Sequence, residues 1–433
     1  MPSSFVTWAF CAAVLASLAT KFWLASRQMR HVHAHRDTVP PAFAGQISLA
    51  AHQKAADYTV VRSQFGLLTE AFGAAVLLGW TLLGGLDALN TWVYGLVQPA
   101  WGDMAYQLAL FGLFGVIGGA LDLPFSLWQV FRIEQRFGFN RMTLKLFMAD
   151  MIKGSVVGVL IGVPLLSAVL WLMNAAGSLW WLWAWGLWAG FILLMQLIYP
   201  TLIAPLFNRF APLEDPALTS RVQALMQRCG FKAQGFFVMD GSRRSAHGNA
   251  YFTGLGRSKR VVFYDTLLAR LQPTEVEAVL AHELGHFHHK HVLVNLFTML
   301  GVSLAGLALL GWLSGQMSFY TGLGVSPNVA SPSHALALIL FGMVLPPFMF
   351  FVSPLMALRS RKAEFEADAY ASQHADGQAL SQALLKLYED NANTLTPDPL
   401  YVRFYYSHPA ASERLAALAA LGARRPAEPG LAA

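Results

Sequence analysis

The sequence predicts an α-helical polytopic membrane protein, with seven transmembrane helices and a small α+β domain on their inner side. Three observations carry that expectation. The chain of 433 residues is 55% hydrophobic and only 12% charged, with a mean hydropathy of +0.46, outside the range of ordinary soluble domains. Its apolar residues gather into stretches of about 20, the length that crosses a bilayer. Its basic residues are confined to one set of the connecting loops.

The seven stretches run over roughly 4–26, 65–86, 104–131, 154–174, 179–204, 292–315 and 334–358. With the N-terminus outside, the outer loops are 87–103, 175–178 and 316–333, and none of the 30 Lys and Arg residues falls in them. The first inner loop carries Arg27, Arg30, Arg36, Lys54 and Arg62, and the second carries Arg132, Arg136, Arg141, Lys145 and Lys153. The rest lie near the inner end of the first span (Lys21), between Arg209 and Lys290, or from Arg359 onward. This is the positive-inside pattern, which places the N-terminus outside and the C-terminus in the cytoplasm. A net charge of +6 therefore reports topology and not a nucleic-acid partner. The first 20 residues lack a positive n-region, so the first span is read as uncleaved. Cys11 lies within a span and Cys229 in an inner segment, too far apart to form a disulfide.

Four parts follow: residues 1–204 with five spans, a soluble segment 205–291, two further spans over 292–358, and a C-terminal soluble segment 359–433 ending in a flexible tail from Arg424. Both soluble segments fall on the inner side, where they can pack into one domain. In the first, Pro216 to Cys229 reads as a helix ended by Gly230, and Phe236 to Met239 as a strand. Asn249 to Thr253 and Val261 to Tyr264 read as a strand pair joined by a turn at Gly254-Leu255-Gly256. That turn lacks the third glycine and the following helix of a nucleotide loop. Thr274 and Glu277 have capping-box spacing and open a helix to about Lys290, packed through Val276, Leu280, Leu284 and Phe287.

That helix carries His282-Glu283-Leu284-Gly285-His286. Two imidazoles four residues apart stand one turn apart on one face, within reach of a single Zn²⁺. Glu283 between them sits where a general base takes a proton from the attacking water. Chance matches to this pattern are rare even with 13 histidines. His288, His289 and His291 read as an interfacial cluster. Glu364, with Asp368 one turn on, supplies the third ligand and a carboxylate to orient a ligating histidine, against the plainer reading of a solvated charged helix. Glu366 lies about 200° round the helix from Glu364 and faces elsewhere.

The chain resembles the integral-membrane CAAX prenyl proteases of type 1, which are gluzincin-type zinc metalloendopeptidases. The resemblance rests on Val39-Pro40, the stretch His52 to Thr59, Glu134 to Asn140, Ser245 to Gly254, the His282 motif, Glu364 to Asp368, and Ser407-His408-Pro409. It implies one Zn²⁺ held by His282, His286 and Glu364, with Glu283 as base and Asp368 behind a ligand. It also implies that Asn249, Ala250 and Tyr251 receive the substrate main chain by strand addition, that His408 donates to the oxyanion, and that Arg414 supports substrate or a nearby carboxylate. The seven spans then enclose a chamber, which accounts for Asp122 and Asn174. The implied partners are the lipid bilayer and a peptide or protein substrate, possibly prenylated or membrane-associated. The chain ends in Leu431-Ala432-Ala433 without an ER retrieval signal, favouring a bacterial inner membrane. Two other readings stay open. A heat-shock-type membrane quality-control protease shares the His282 motif on fewer spans. A transporter in which zinc is structural or cargo has Asp122 and the following Pro124 in its favour.

Overall fold

The computed structural model describes residues 1–231, 235–253, 260–328 and 333–423. The Gly254-Leu255-Gly256 turn and the tail from Arg424 lie outside them. The fold is mostly helical: α1 (Ser3–Ala34), α2 (Leu49–Trp80), α3 (Gly85–Trp128), α4 (Leu144–Ala175) and α5 (Trp180–Ile198) precede the first soluble segment. That segment contributes α6 (Pro216–Arg228) and α7 (Pro273–His288). Then come α8 (His291–Leu313), α9 (His334–Met349), α10 (Ser353–His374), α11 (Gly377–Asp390), α12 (Pro399–Tyr405) and α13 (Ala411–Ala423).

Among the described residues, five helices are long and apolar enough to cross a membrane: Ser3–Ala34, Gly85–Phe137, Leu144–Ala175, Gly177–Phe207 and His291–Leu313. The pair α9 and α10, bent by 66°, makes a sixth if counted as one span. Pro354 in the first turn of α10 supplies the break, because it has no N–H to donate back to Phe350 and its ring crowds that preceding turn. The expected second span, 65–86, is not in this set. Its residues are divided between α2, which carries Glu70 in mid-span and stops at Thr81, and the start of α3. Glu70 is neutralised by Lys21 of α1 at 2.7 Å, so this helix is held by its neighbour as well as by apolar length. The expected outer loop 87–103 is helical too. Gly84 at φ 78° opens α3, and Gly102 at φ 76° kinks it; both conformations favour glycine.

The two ends of the helical bundle differ. At the N-terminal end of α1, Thr7 donates to the Gly322 carbonyl at 2.6 Å, and the Ser326 amide donates to Asp87 at 2.7 Å. About 30 Å further along α1, at 1.5 Å per residue, Arg27 pairs with Asp398 at 2.9 Å. At that same end Tyr58 donates to Glu134 at 2.7 Å and Arg244 grips Asp150 at 2.8 Å. The basic loops and the soluble segments therefore share one end. Between the helices lies a cavity of about 1530 Å³ with mostly apolar walls; Asp122 lines it and Asn174 does not.

The soluble segments merge around one core. Strands β1 (Phe210–Pro212), β2 (Gly235–Met239), β3 (Ala250–Thr253) and β4 (Arg260–Tyr264) form a sheet in the order β1-β2-β4-β3. β2 and β4 run parallel, β1 pairs antiparallel with β2 and β3 antiparallel with β4, which leaves β3 on an edge. Val222 and Leu225 of α6, Phe263 of β4, Leu280 and Leu284 of α7, and Leu380 of α11 are buried together. The face of α7 expected to pack does so through Val276, Leu280 and Leu284. Its cap is two residues earlier than expected. Pro273 takes the first helical position, so Gln272 caps and its amide donates to Glu275 at 2.7 Å. Glu277, freed from capping, accepts from Arg221 at 2.8 Å and Arg228 at 2.7 Å and ties α7 to α6.

Candidate metal centre

A glycine sets the distance between the two helices that build the centre. Gly285 of α7 faces α10, and a β-carbon there would stand 2.9 Å from Ala367 Cα. A glycine inside a helix costs about 1 kcal/mol against alanine, and here close packing is what it permits. That approach brings Glu364 of α10 onto the face of α7 that carries the two histidines.

The Nε2 atoms of His282 and His286 are 3.2 Å apart. Glu364 Oε2 lies 3.5 Å from His282 Nε2, and Glu364 Oε1 lies 3.3 Å from His286 Nε2. Among the described residues Glu364 Oε2 is buried without a hydrogen-bond partner; the guanidinium nitrogen Arg414 Nη1 reaches only 3.5 Å. A buried acceptor left unpaired is unusual unless something else fills its need. An orphaned carboxylate oxygen facing two imidazole nitrogens fits a divalent cation. Two histidines and one glutamate, with a fourth position open, are a donor set that Zn²⁺ takes in catalytic sites.

The electrostatics point the same way. Burial opposes ionisation of Glu364, yet the attraction of the His282 and His286 imidazoles beside it holds its carboxyl well below the usual carboxylate range. For His282, burial opposes the charge, but the hydrogen bond to Asp368 and the nearby Glu364 carboxylate outweigh it and raise the imidazole to about 9. The centre therefore attracts positive charge. Glu283 is half-buried between the histidines, and burial pushes its carboxyl above its usual value, partly offset by His282 and His286. Its carboxylate has no hydrogen-bond partner among the described residues, which leaves it free to hold a water.

Each histidine is backed from behind. His282 Nδ1 meets Asp368 Oδ1 at 2.8 Å. Asp368 is fully buried, and Arg414 grips both of its oxygens, Nε to Oδ2 at 2.8 Å and Nη2 to Oδ1 at 2.6 Å. Arg414 is itself only 5% exposed, and the structure sets it against the Asp368 carboxylate. His286 Nδ1 meets His291 Nδ1 at 3.0 Å, and His291 Nε2 meets Glu366 at 2.9 Å. His291 is thus not merely interfacial, and Glu366, which does face away from the centre, has a partner there. Lys290 makes this possible: it takes a left-handed conformation at φ 58°, ending α7 and turning His291 back under His286.

His408 enters from the loop between α12 and α13. Its side chain is 62% exposed, with Nε2 3.4 Å from Glu364 Oε1 and Nδ1 3.0 Å from the Ser407 hydroxyl. Asn249, Ala250 and Tyr251 lie at and next to the start of β3, and no hydrogen bond joins them to the centre among the described residues. The strand is nonetheless set beside α7, because the Phe252 ring meets the ring of Phe287, next to His286, at 4.9 Å.

Two families cover the chain. Residues 28–209 match the CAAX prenyl protease N-terminal family, described as five membrane helices, and residues 212–421 match peptidase family M48. A CAAX prenyl protease 1 homolog of Arabidopsis thaliana is 35% identical over 88% of this chain and 90% of its own length. The CAAX prenyl protease 1 of Saccharomyces cerevisiae is 33% identical over 93% of both chains. The crystal structure of S. mikatae Ste24p superposes with a TM-score of 0.89 at 31% identity, covering 96% of this chain and 99% of that one. The chain therefore belongs to the CAAX prenyl protease 1 group of peptidase family M48 and is a multi-pass membrane metalloprotease.

Proposed function

We propose that this protein is a zinc-dependent endopeptidase that hydrolyses peptide bonds of membrane-associated or CAAX-type substrates. Seven crossings result if α2 and the bent pair α9–α10 are each counted as one, with the N-terminus outside and the protease domain in the cytoplasm. The observation that carries the catalytic reading is the orphaned oxygen of Glu364 between His282 and His286, with the unpartnered carboxylate of Glu283 beside it.

His282, His286 and Glu364 would hold one Zn²⁺, which when bound polarises a scissile carbonyl and acidifies water. Glu283 takes the proton from the attacking water as its oxygen bonds to the carbonyl carbon. It then delivers that proton to the amine nitrogen as the C–N bond breaks. His408 donates to the oxyanion, a role suited to a side chain that reaches the centre from an exposed loop. Asp368, backed by Arg414, fixes the tautomer of His282. The edge position of β3 suits addition of an extended substrate, paired through main-chain groups from Asn249, Ala250 and Tyr251. The names of the relatives point to prenylated CAAX proteins as one substrate class.

The test is purified protein with measured zinc content, cleaving a farnesylated CAAX peptide and its unmodified counterpart. Glu283→Gln is expected to keep zinc and lose roughly 1,000-fold in turnover, the scale of a lost general base. Zinc-loaded wild type that cuts neither peptide defeats the reading. The ratio of the two peptides reads the contribution of the prenyl group.

A further inference from the structure

A second cavity, of about 1020 Å³, lies between α10, α12 and the start of α13, away from the bundle interior. Arg359, Arg361, Lys362 and Arg403 line it against one carboxylate among the described residues, Glu413. That carboxylate is already engaged by the Ala410 amide at 3.2 Å. The cations are poorly matched by protein charge. Arg361 donates to two neutral carbonyls, Val402 at 3.0 Å and Tyr406 at 2.8 Å, and Arg359 donates to the Thr298 hydroxyl. Lys362 reaches Glu366 only at 3.8 Å, and Arg403 has no ion-pair partner among the described residues. The other wall is apolar. Leu355 and Leu358 are 67% and 61% exposed on the first turns of α10, just after the bend between α9 and α10.

A basic cluster above exposed leucines, at the level where a helix leaves the membrane, has the two-part chemistry of an acidic phospholipid: phosphate on the cations, acyl chains along the leucines. We infer that the groove bounded by Arg359, Arg403, Leu355 and Leu358 binds one anionic phospholipid of the inner leaflet. The inference rests on the topology proposed above. Because α12 and α13 form one wall and carry the His408 loop between them, an occupied groove braces the loop that reaches Glu364. Peptidase activity should rise with anionic lipid.

The full-length protein is reconstituted in nanodiscs of phosphatidylcholine with or without phosphatidylglycerol, and retained lipid is read by native mass spectrometry. Arg359→Gln/Arg403→Gln is compared with Arg30→Gln/Arg141→Gln, which removes equal charge from other inner loops, and with the charge-keeping Arg359→Lys/Arg403→Lys. Each cation near a membrane surface is worth on the order of five-fold in affinity. Wild type, the loop variant and the lysine variant should therefore retain phosphatidylglycerol, and the groove variant should lose it by roughly ten-fold or more. Glycerol phosphate in solution should not displace the lipid. Equal loss in the groove and loop variants, or full retention in the groove variant, overturns the site. Lipid retention is read without peptidase activity, so failure of the catalytic proposal leaves this result separately readable.

Discussion

The two histidines of the centre are supported in opposite ways. Behind His282 stands a buried ion pair: the side chains of Asp368 and Arg414 are 1% and 6% exposed. Behind His286 stands a peripheral chain, His291 and Glu366, with side chains 13% and 38% exposed. Both orient an imidazole whose Nε2 faces Glu364, yet they draw on different physics. A buried pair is expensive to break, because the remaining charge is stranded in low dielectric. An exposed pair is screened by water and salt and sets geometry at little cost in stability. If the centre holds zinc as proposed, one half of it should be joined to folding and the other half to metal binding alone.

The largest effect should come from breaking the buried half. Asp368→Asn leaves Arg414 as a buried cation with only Glu364, at 3.5 Å, to balance it. We expect a loss of about 3–5 kcal/mol in stability together with a roughly 10- to 100-fold weaker hold on zinc. Denaturation of the metal-free protein and zinc titration measure the two separately. An Asp368→Asn protein as stable as wild type would contradict the contrast drawn here.

Next in size is a pH effect confined to the metal-free protein. His282 is raised to about 9 in the fold by burial outweighed through Asp368 and Glu364, against about 6.5 when unfolded. A raised basic group contributes stability that is complete below pH 6.5 or so and is lost as pH climbs through 9, on the order of 3 kcal/mol. Zinc reverses the sign, because it requires the neutral imidazole. Stability of the metal-free protein should therefore fall from pH 6.5 to 9 while that of the zinc-loaded protein does not. Asp368→Asn should flatten the metal-free limb and Glu366→Gln should leave it in place.

What the sequence made legible follows the range of the interactions. His282 and His286, or Glu364 and Asp368, are related by one helical turn, so local periodicity is enough to pair them. The joining of Arg414 to Asp368 spans 46 residues and that of His291 to Glu366 spans 75. No local pattern encodes either partner, although glycine inside the motif and a histidine just past the helix end were visible hints. The cap of α7 was misread for a different reason: Thr274 and Glu277 satisfy the pattern, but Pro273 takes the first helical position and moves the cap two residues earlier, to Gln272. The second span shows the limit of hydropathy alone. Glu70 interrupts it, and only the structure supplies the Lys21 that neutralises the charge.

The smallest expected effect is the most specific. For His286 Nε2 to face a metal, its Nδ1 must carry the proton and donate to His291 Nδ1. His291 then carries its own proton on Nε2 and donates it to Glu366. The chain admits one tautomer throughout, and the carboxylate fits its end: the hydrogen bond from His291, against slight burial, lowers Glu366. His291→Ala removes the acceptor and should weaken zinc binding by about ten-fold. Glu366→Gln can still accept through its amide oxygen, so its loss should be only about two- to three-fold, with stability changed by less than about 0.5 kcal/mol because the group is exposed to solvent and salt. Zinc affinity by competition with a chelator, measured in low and high salt, reads this directly. If His291→Ala destabilises the metal-free fold as much as Asp368→Asn, the outer chain is structural after all, and the two histidines are supported alike.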